Sequence, residues 1–208
     1  MTVMADVADS VLIQASLEGD RSAFAVLVER YYAAVFKTVR RTLGNTTEDE
    51  DAVQEIFLRV MIALPKYDYR YPFAPWILKI AGNYCIDQLR FRKTRKYKLW
   101  SDLSEAEERT ALNYLSTRQY VEDSDEINKE KYLDIARLLL DRLKPKRRMA
   151  FVMRELEGRE YEEVAAILGC SEVTARVRVW RARNDLHREF QKYLKKEGKD
   201  EQTLRAVQ

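Results

Sequence analysis

Glycine and proline are scarce in this sequence, six and four among 208 residues. So few breakers, with hardly any β-branched alternation, exclude a turn-rich β-sandwich or barrel and favour an all-α class. Cysteine is equally sparse. Cys85 and Cys170 lie far apart in apolar helical patterns, with no CxxC and no Cys/His cluster. One isolated pair builds neither a disulfide framework nor a zinc site, so both read as reduced core residues of a cytoplasmic protein. The single histidine, His187, sits among charged residues on the last helical stretch and reads as a surface residue. With no Gly-rich phosphate loop and no Ser/His/Asp or metal constellation, the chain is expected to be no enzyme, with no catalytic residue, metal or cofactor. No apolar run approaches the roughly 18 residues of a membrane span. "MTVMADVADS" also lacks the basic start and apolar stretch of a signal peptide, so a cytosolic chain without membrane insertion is expected.

What is present is 46% hydrophobic and 34% charged residues with a formal charge of only +3. That is enough apolar material for two small bodies rather than one large core. Ser10 is a plausible cap for a short helix that stops at Gly19, and Asp20 can cap the next. Phe24, Leu27, Val28, Tyr31, Val35, Phe36 and Val39 then recur at helical spacing up to Gly44. Thr47 and Glu50 have capping-box spacing. Val53, Ile56, Phe57, Val60 and Leu64 form the stripe of a third helix ending before Pro65. The segment "PKYDYRYPFAP" reads as a loop, and a fourth helix starts near Ala74 with Trp76, Ile77, Ile80, Ala81, Tyr84 and Leu89 inward.

From Trp100 to Glu130 the chain turns acidic and poorly periodic, in "SDLSEAEER" and "VEDSDEINKE". This reads as a flexible linker. A second helical body begins near Lys131, breaks at Pro145, resumes through Met149, Phe151, Val152 and Leu156, and stops at Gly158.

The stretch "EYEEVAAILGCSEVTARVRVWRARNDL" then carries a helix-turn-helix pattern. Gly169 suits the left-handed end of a helix over 161–168, and Ser171 caps the next. Ala175, Val179, Ala182 and Leu186 share one face and can pack on Val164, Ile167 and Leu168. Arg176, Trp180 and Arg183 point the other way, flanked by Val177 and Arg181. Exposed guanidiniums beside an apolar tip suit a duplex major groove, although a solvated amphipathic face would carry the same pattern. Upstream, "QLRFRKTRKYK" has six Lys or Arg and no carboxylate in eleven residues. By itself this is a phosphate-binding patch. Before it come Tyr67, Tyr69, Tyr71, Phe73 and Trp76, and aromatic faces beside a cationic groove suit unstacked single-stranded DNA. Phe73 and Trp76 read more readily as core; Tyr67 and Tyr69 read as exposed.

Two long stretches resemble a known family. "TTEDEDAVQEIFLRVMIALPKYDYRYPFAPWILKIAGNYCIDQLRFRK" is similar to region 2 of the bacterial RNA polymerase sigma factors of the extracytoplasmic function (ECF, sigma-70 family group 4) type. "LKPKRRMAFVMRELEGREYEEVAAILGCSEVTARVRVWRARNDL" resembles their region 4. The resemblance implies a region 2 helical bundle over 10–98, a linker over 99–130, a region 4 helix-turn-helix over 131–196 and a charged tail over 197–208. It also implies a factor that binds core polymerase and directs promoter-specific initiation. Asp51, Gln54, Glu55 and Leu58 match the positions that dock on the clamp helices of the largest polymerase subunit, while region 4 meets the flap of the second-largest. Tyr67, Asn83 and Asp87 match the pocket for a flipped base of the melted minus-ten element, with Lys79, Arg90, Arg92 and Lys93 on the backbone. Arg176, Val177, Trp180 and Arg181 match the reader of the duplex minus-thirty-five element, with Arg178 and Arg183 on phosphate. An anti-sigma factor is a further implied partner.

The family pattern is not followed everywhere. Cys170 and Ala175 stand where larger aliphatic residues are usual, and Val177 where a small polar one is frequent, so promoter sequence does not carry over from relatives. A freestanding regulator binding operators as a dimer would need a self-association helix, and none is found in the pattern.

Overall fold

The computed structural model describes residues 7–44, 48–101 and 135–196, with the backbone course alone for 95–101 and 194–196. Every regular element among the described residues is helical. Helix α1 is Asp9–Leu17, α2 Arg21–Leu43 and α3 Asp49–Ala63; a 3₁₀ turn follows at Leu64–Lys66, and α4 is Phe73–Ser101. Residues 135–142 form α5. Helix α6, Pro145–Phe151, opens into a π-helical turn at Val152–Leu156, and α7, Tyr161–Leu168, and α8, Glu172–Lys196, complete the chain. Most of the acidic linker, the 197–208 tail and Thr47 of the expected capping box lie outside the described residues.

Local chemistry explains most of the boundaries. Asp20 caps α2, its Oδ1 accepting from the Ser22 and Ala23 amides at 2.8 and 3.3 Å. Gly44 ends α2 in the left-handed conformation at φ 96°. Pro145 is the first residue of α6, where its missing N–H costs nothing. Ser10 does not cap α1: the helix begins at Asp9 behind Ala8, which makes no side-chain cap bond. The Asp9 carboxylate is instead engaged by Arg30 and Tyr31 of α2, which ties α1 down by a tertiary pair. Glu48 precedes α3 without a side-chain cap.

One packed unit takes the described residues up to Ile86 together with Pro145–Arg183; the described parts of Asp87–Lys144 and Asn184–Gln208 make up the other. In the first unit Leu12 and Ile13 of α1, Leu27, Val35 and Val39 of α2, Val53, Ile56 and Val60 of α3, and Ile77 and Ala81 of α4 are buried. Each buried Val, Leu or Ile among them contributes about 1.5–3 kcal/mol. Helix α4 buries Cys85, as expected, and beyond its expected inner stripe it also encloses Leu78 and Ile86. The reason lies at Gly82, where the missing side chain admits Met149 and Met153 of α6 and its π-turn and Ile167 of α7. Thr38 and Thr42 of α2 are likewise fully buried. Thr38 donates to Glu157 at 2.9 Å, Thr42 to the Met149 sulfur at 3.3 Å, and Arg41 to the Leu156 carbonyl. The expected end of α6 therefore differs in form: its last turn widens, with the Glu157 amide reaching the Val152 carbonyl at 3.0 Å. This widened turn meets α2.

In the second unit the described pairs are surface ones. Arg90 donates to Asp87 at 3.0 Å, Arg188 to Asp185 at 3.0 Å and Lys192 to Glu189 at 2.9 Å.

Candidate nucleic-acid interface

Helices α7 and α8 and the turn between them form the expected helix-turn-helix. Gly169 adopts φ 56°, ψ 50° at the end of α7, a conformation that a β-carbon disfavours. The Cys170 amide reaches back to the Ala165 carbonyl at 3.0 Å. Ser171 Oγ accepts from the Thr174 amide at 3.2 Å and so caps α8. Ala175, Val179 and Ala182 are fully buried, as are Val164 and Ile167 of α7. Small inner side chains let α8 lie close on its scaffold; Leu186, also expected inside, is half-buried.

The opposite face of α8 is open. Arg176, Val177, Trp180, Arg181 and Arg183 are exposed, and Trp180 keeps 62% of its surface accessible. An indole left in water on a helix rich in guanidiniums is what a base-contacting surface needs and a packing surface does not. Arg176 donates to Glu172 at 2.5 and 3.0 Å, and Arg183 pairs with Glu155 at 2.8 Å. Arg178 is different: it is half-buried and donates from Nη1 to the Cys170 sulfur at 3.2 Å. It thus braces the turn, and Cys170 is only half-buried, not the core residue expected.

On α4, about 100° per residue places Trp76, Lys79, Asn83, Asp87 and Arg90 along one side. Lys79, Asn83, Asp87 and Arg90 are exposed there. Tyr67 joins the head of this stripe, its ring 5.2 Å from Trp76, 5.3 Å from Phe73 and 5.2 Å from Tyr69. The Tyr67 hydroxyl donates to the Tyr71 carbonyl and closes the loop, while Asp68 accepts the Arg70 amide at 3.0 Å. Burial first, then the nearby Asp9, Tyr69 and Asp68 charges, raises the Tyr67 phenol above its ordinary value. Tyr67 is half-buried, Tyr69 and Tyr71 are exposed, Phe73 is buried and Trp76 is half-buried.

Asn83 follows Trp76 about two turns further along the same side of α4. Lys93 flanks the stripe, whereas Arg92 falls on the far side of α4 and is half-buried. Arg95, Lys96 and Lys98 belong to the backbone-only stretch. Lys79 also lies against the helix-turn-helix, its Cε 3.7 Å from where a Gly169 side chain would begin.

A third surface lies on α3. Asp51, Gln54 and Leu58 are exposed and Glu55 is half-buried, accepting from Arg59 Nε at 2.8 Å. Met61 and Ile62, not singled out from sequence, continue this face: Leu58 is 54%, Met61 50% and Ile62 78% exposed. Their positions three and four residues beyond Leu58 carried the signal, since they miss the buried Val53–Ile56–Val60 stripe. Among the described residues no group of three or more His, Cys, Asp or Glu is arranged to hold a metal ion, and no helix is long and apolar enough to cross a membrane.

With this geometry in place, the comparisons with known proteins agree from several directions. Residues 27–95 match the Sigma-70 region 2 family and residues 133–186 the Sigma-70 region 4 family. The chain is 32% identical over 191 residues to the ECF RNA polymerase sigma-E factor of Escherichia coli (strain K12), covering 90% of this chain and 97% of that protein. It is 27% identical over 173 residues to the ECF RNA polymerase sigma factor SigW of Bacillus subtilis (strain 168), covering 83% and 91%. In fold it resembles CnrH, solved in complex with the cytosolic domain of CnrY, at TM-score 0.58 and 24% identity over 89% of this chain and 98% of that one. It also resembles the Bartonella quintana sigma factor RpoE, solved with the anti-sigma factor NepR, at TM-score 0.54 and 20% identity over 81% and 96%.

Proposed function

The chain belongs to the extracytoplasmic function (ECF) sigma factors of the sigma-70 family, and from that premise we propose that it joins core RNA polymerase in the cytoplasm and reads one promoter in two states. Region 4, within residues 131–196, reads the minus-thirty-five element as duplex. Region 2, within 10–98, holds the minus-ten element as a melted strand. The observation that carries the reading is the pairing of the two exposed cationic surfaces, Arg176 to Arg183 on α8 and Lys79 to Arg90 on α4, on the two matched regions.

On α8, Arg176, Val177, Trp180 and Arg181 face the bases, and Arg183 reaches phosphate. Arg178, turned toward Cys170, acts on the turn before it acts on DNA. On α4 the track from Tyr67 and Trp76 past Asn83 to Asp87 accepts unstacked bases, with Lys79, Arg90 and Lys93 neutralising phosphate. Flipping a base out of the stack costs a few kcal/mol. Aromatic stacking returns about 1–3 kcal/mol per base, so the free chain alone opens DNA poorly and polymerase supplies the remainder.

Polymerase docks on α3, where Asp51, Gln54 and Glu55 give a polar edge for the basic clamp helices and Leu58, Met61 and Ile62 an apolar one. Region 4 takes the flap of the second-largest subunit. The two promoter elements stand about 25 base pairs apart, about 85 Å at roughly 3.4 Å per pair. In the free chain α6 and α7 pack on α4 around Gly82, and Lys79 Cε stands 3.7 Å from where a Gly169 β-carbon would be. Engaging both elements therefore requires α6 and α7 to leave α2 and α4, and an anti-sigma factor that favours the closed or a wrapped arrangement keeps the protein off DNA.

The test is run-off transcription with purified core polymerase over a library of genomic promoters. A discrete start site that depends on this chain supports the reading; specific binding without polymerase and no transcript from any fragment refutes it.

A further inference from the structure

Arg176 is held before any DNA arrives. Its Nε and Nη2 both donate to one carboxylate oxygen of Glu172, at 3.0 and 2.5 Å. Its guanidinium carbon stands 4.4 Å from the centroid of the Tyr161 ring, the first residue of α7. That ring is itself engaged by Arg154, whose guanidinium carbon lies 4.6 Å from the same centroid. Arg154 is anchored in turn, to Glu160 at 3.1 Å and to the Arg159 carbonyl at 2.7 Å. A chain of contacts therefore runs from the π-turn, through Tyr161, to the outer face of the recognition helix.

A guanidinium has two hydrogen-bonding edges besides its two faces. Glu172 occupies the side edge, formed by Nε and one N–H of Nη2. Tyr161 covers a face. The end edge, formed by Nη1 and the second N–H of Nη2, is not claimed by either contact. Its parallel donors have the spacing that matches O6 and N7 of guanine in the major groove.

We propose that Tyr161 and Glu172 are positioning residues that commit the end edge of Arg176 to a guanine of the upstream duplex element, so that base preference at that pair depends on a residue of the first helix of the motif. The proposal rests on Arg176 being a base contact. Its physical content is preorganisation. A free arginine loses much side-chain freedom when it docks on a base, and a guanidinium already stacked and paired has lost it beforehand. A loose arginine still attracts DNA through its charge but discriminates less between guanine and an adjacent phosphate or another acceptor. Tyr161 should thus act on selectivity more than on total affinity.

Tyr161 is half-buried at the first position of α7, and the core of the motif is carried by Val164, Ala165 and Ile167 behind it. The experiment uses the full chain assembled with core polymerase and a promoter library randomised through the upstream element, with base preferences scored for Arg176→Ala, Tyr161→Leu, Tyr161→Phe and Glu172→Gln. Arg176→Ala should flatten a guanine preference at one base pair. Tyr161→Leu and Glu172→Gln should each weaken that same preference by about three- to tenfold, the scale of one cation–π or charge-assisted contact, with other positions unchanged. Tyr161→Phe, which keeps the ring, should restore it. If Arg176→Ala alters no position, the reading of Arg176 fails and the proposal falls with it. If Arg176→Ala flattens one position while Tyr161→Leu leaves it sharp, or lowers all positions alike, the reading stands and the positioning role is wrong. Should Tyr161→Leu fail to assemble, Glu172→Gln on the exposed surface decides: an unchanged preference overturns the proposal and a weakened one supports it.

Discussion

Gly82 of α4 lies so close to Met149 of α6 that a β-carbon placed on it would stand 3.3 Å from the methionine Cε. A glycine inside a helix costs about 0.5–1 kcal/mol relative to alanine, and here that cost accompanies close packing of α6 and α7 on α4. Gly82→Ala should be nearly neutral, because the flexible end of Met149 can give by a few tenths of an ångström while the helix gains propensity. Gly82→Leu should destabilise the packed arrangement by about 1–3 kcal/mol, as overpacking does. Urea denaturation together with hydrogen exchange in α6 reads both effects. Unchanged exchange in Gly82→Leu would show that α6 does not rest on α4 in solution.

Trp180 separates DNA recognition from folding. Its side chain is largely in water, so Trp180→Ala should alter stability by no more than about 0.5 kcal/mol. Upstream-element recognition by the polymerase-bound protein should fall by about ten- to a hundredfold, the value of a lost base contact. Ala182→Leu, on the buried side of the same helix, should do the reverse and unfold the motif first. Thermal melts and promoter binding of the two variants, measured side by side, check the contrast.

The α3 face gives a third expectation. Leu58, Met61 and Ile62 are exposed, so Ile62→Asp should fold normally. If this surface meets the polymerase clamp, the variant should lose at least about tenfold in affinity for core polymerase, as expected of a central interface residue. Competition between wild type and variant for limiting core enzyme measures it, and equal competition would remove α3 from the contact.

Tyr31 links pH to the seat of α1. Burial foremost, then its hydrogen bond to and the charge of Asp9, raises its phenol above the ordinary value of 10, with Arg30 opposing and Tyr67 adding slightly. A group whose folded value is raised stabilises fully below its unfolded value and loses that contribution as pH climbs through the folded one. Stability of the α1–α2 contact should therefore hold below pH about 10 and decline above it. Tyr31→Phe, which keeps the ring against Phe73, should lose the excess alkaline dependence. Melting temperatures of both chains between neutral and alkaline pH provide the check, and parallel declines would count against it.

Much of this was readable from spacing alone, and the exceptions share a cause. Gly169, Ser171 and the Ala175–Val179–Ala182 face were legible because a helix-turn-helix is set by local turn chemistry and by period. Thr38, Thr42 and Gly82 were not, since each is ordinary within its own helix and acquires meaning only from partners tens of residues or more away in sequence. The π-turn after Phe151 is another such case, its widened end facing the Thr38 and Arg41 side of α2. Ser10 misled because α1 starts one residue earlier, behind Ala8, where the Asp9 carboxylate meets Arg30 and Tyr31 of α2. At the site, the exposed guanidiniums followed from helical angle, but Arg178 is half-buried against Cys170, a residue whose sulfur no periodicity marks as an acceptor.

The most direct test of two-state promoter reading is permanganate reactivity and DNase protection mapped on one promoter bound by reconstituted holoenzyme. Protection upstream should coexist with reactive thymines near the start site. Trp180→Ala should erase the first at limiting protein, while Tyr67→Ala should diminish the second and leave the upstream protection in place. Loss of both signals together in each variant, or full protection by the chain without polymerase, would contradict the division between α8 and α4.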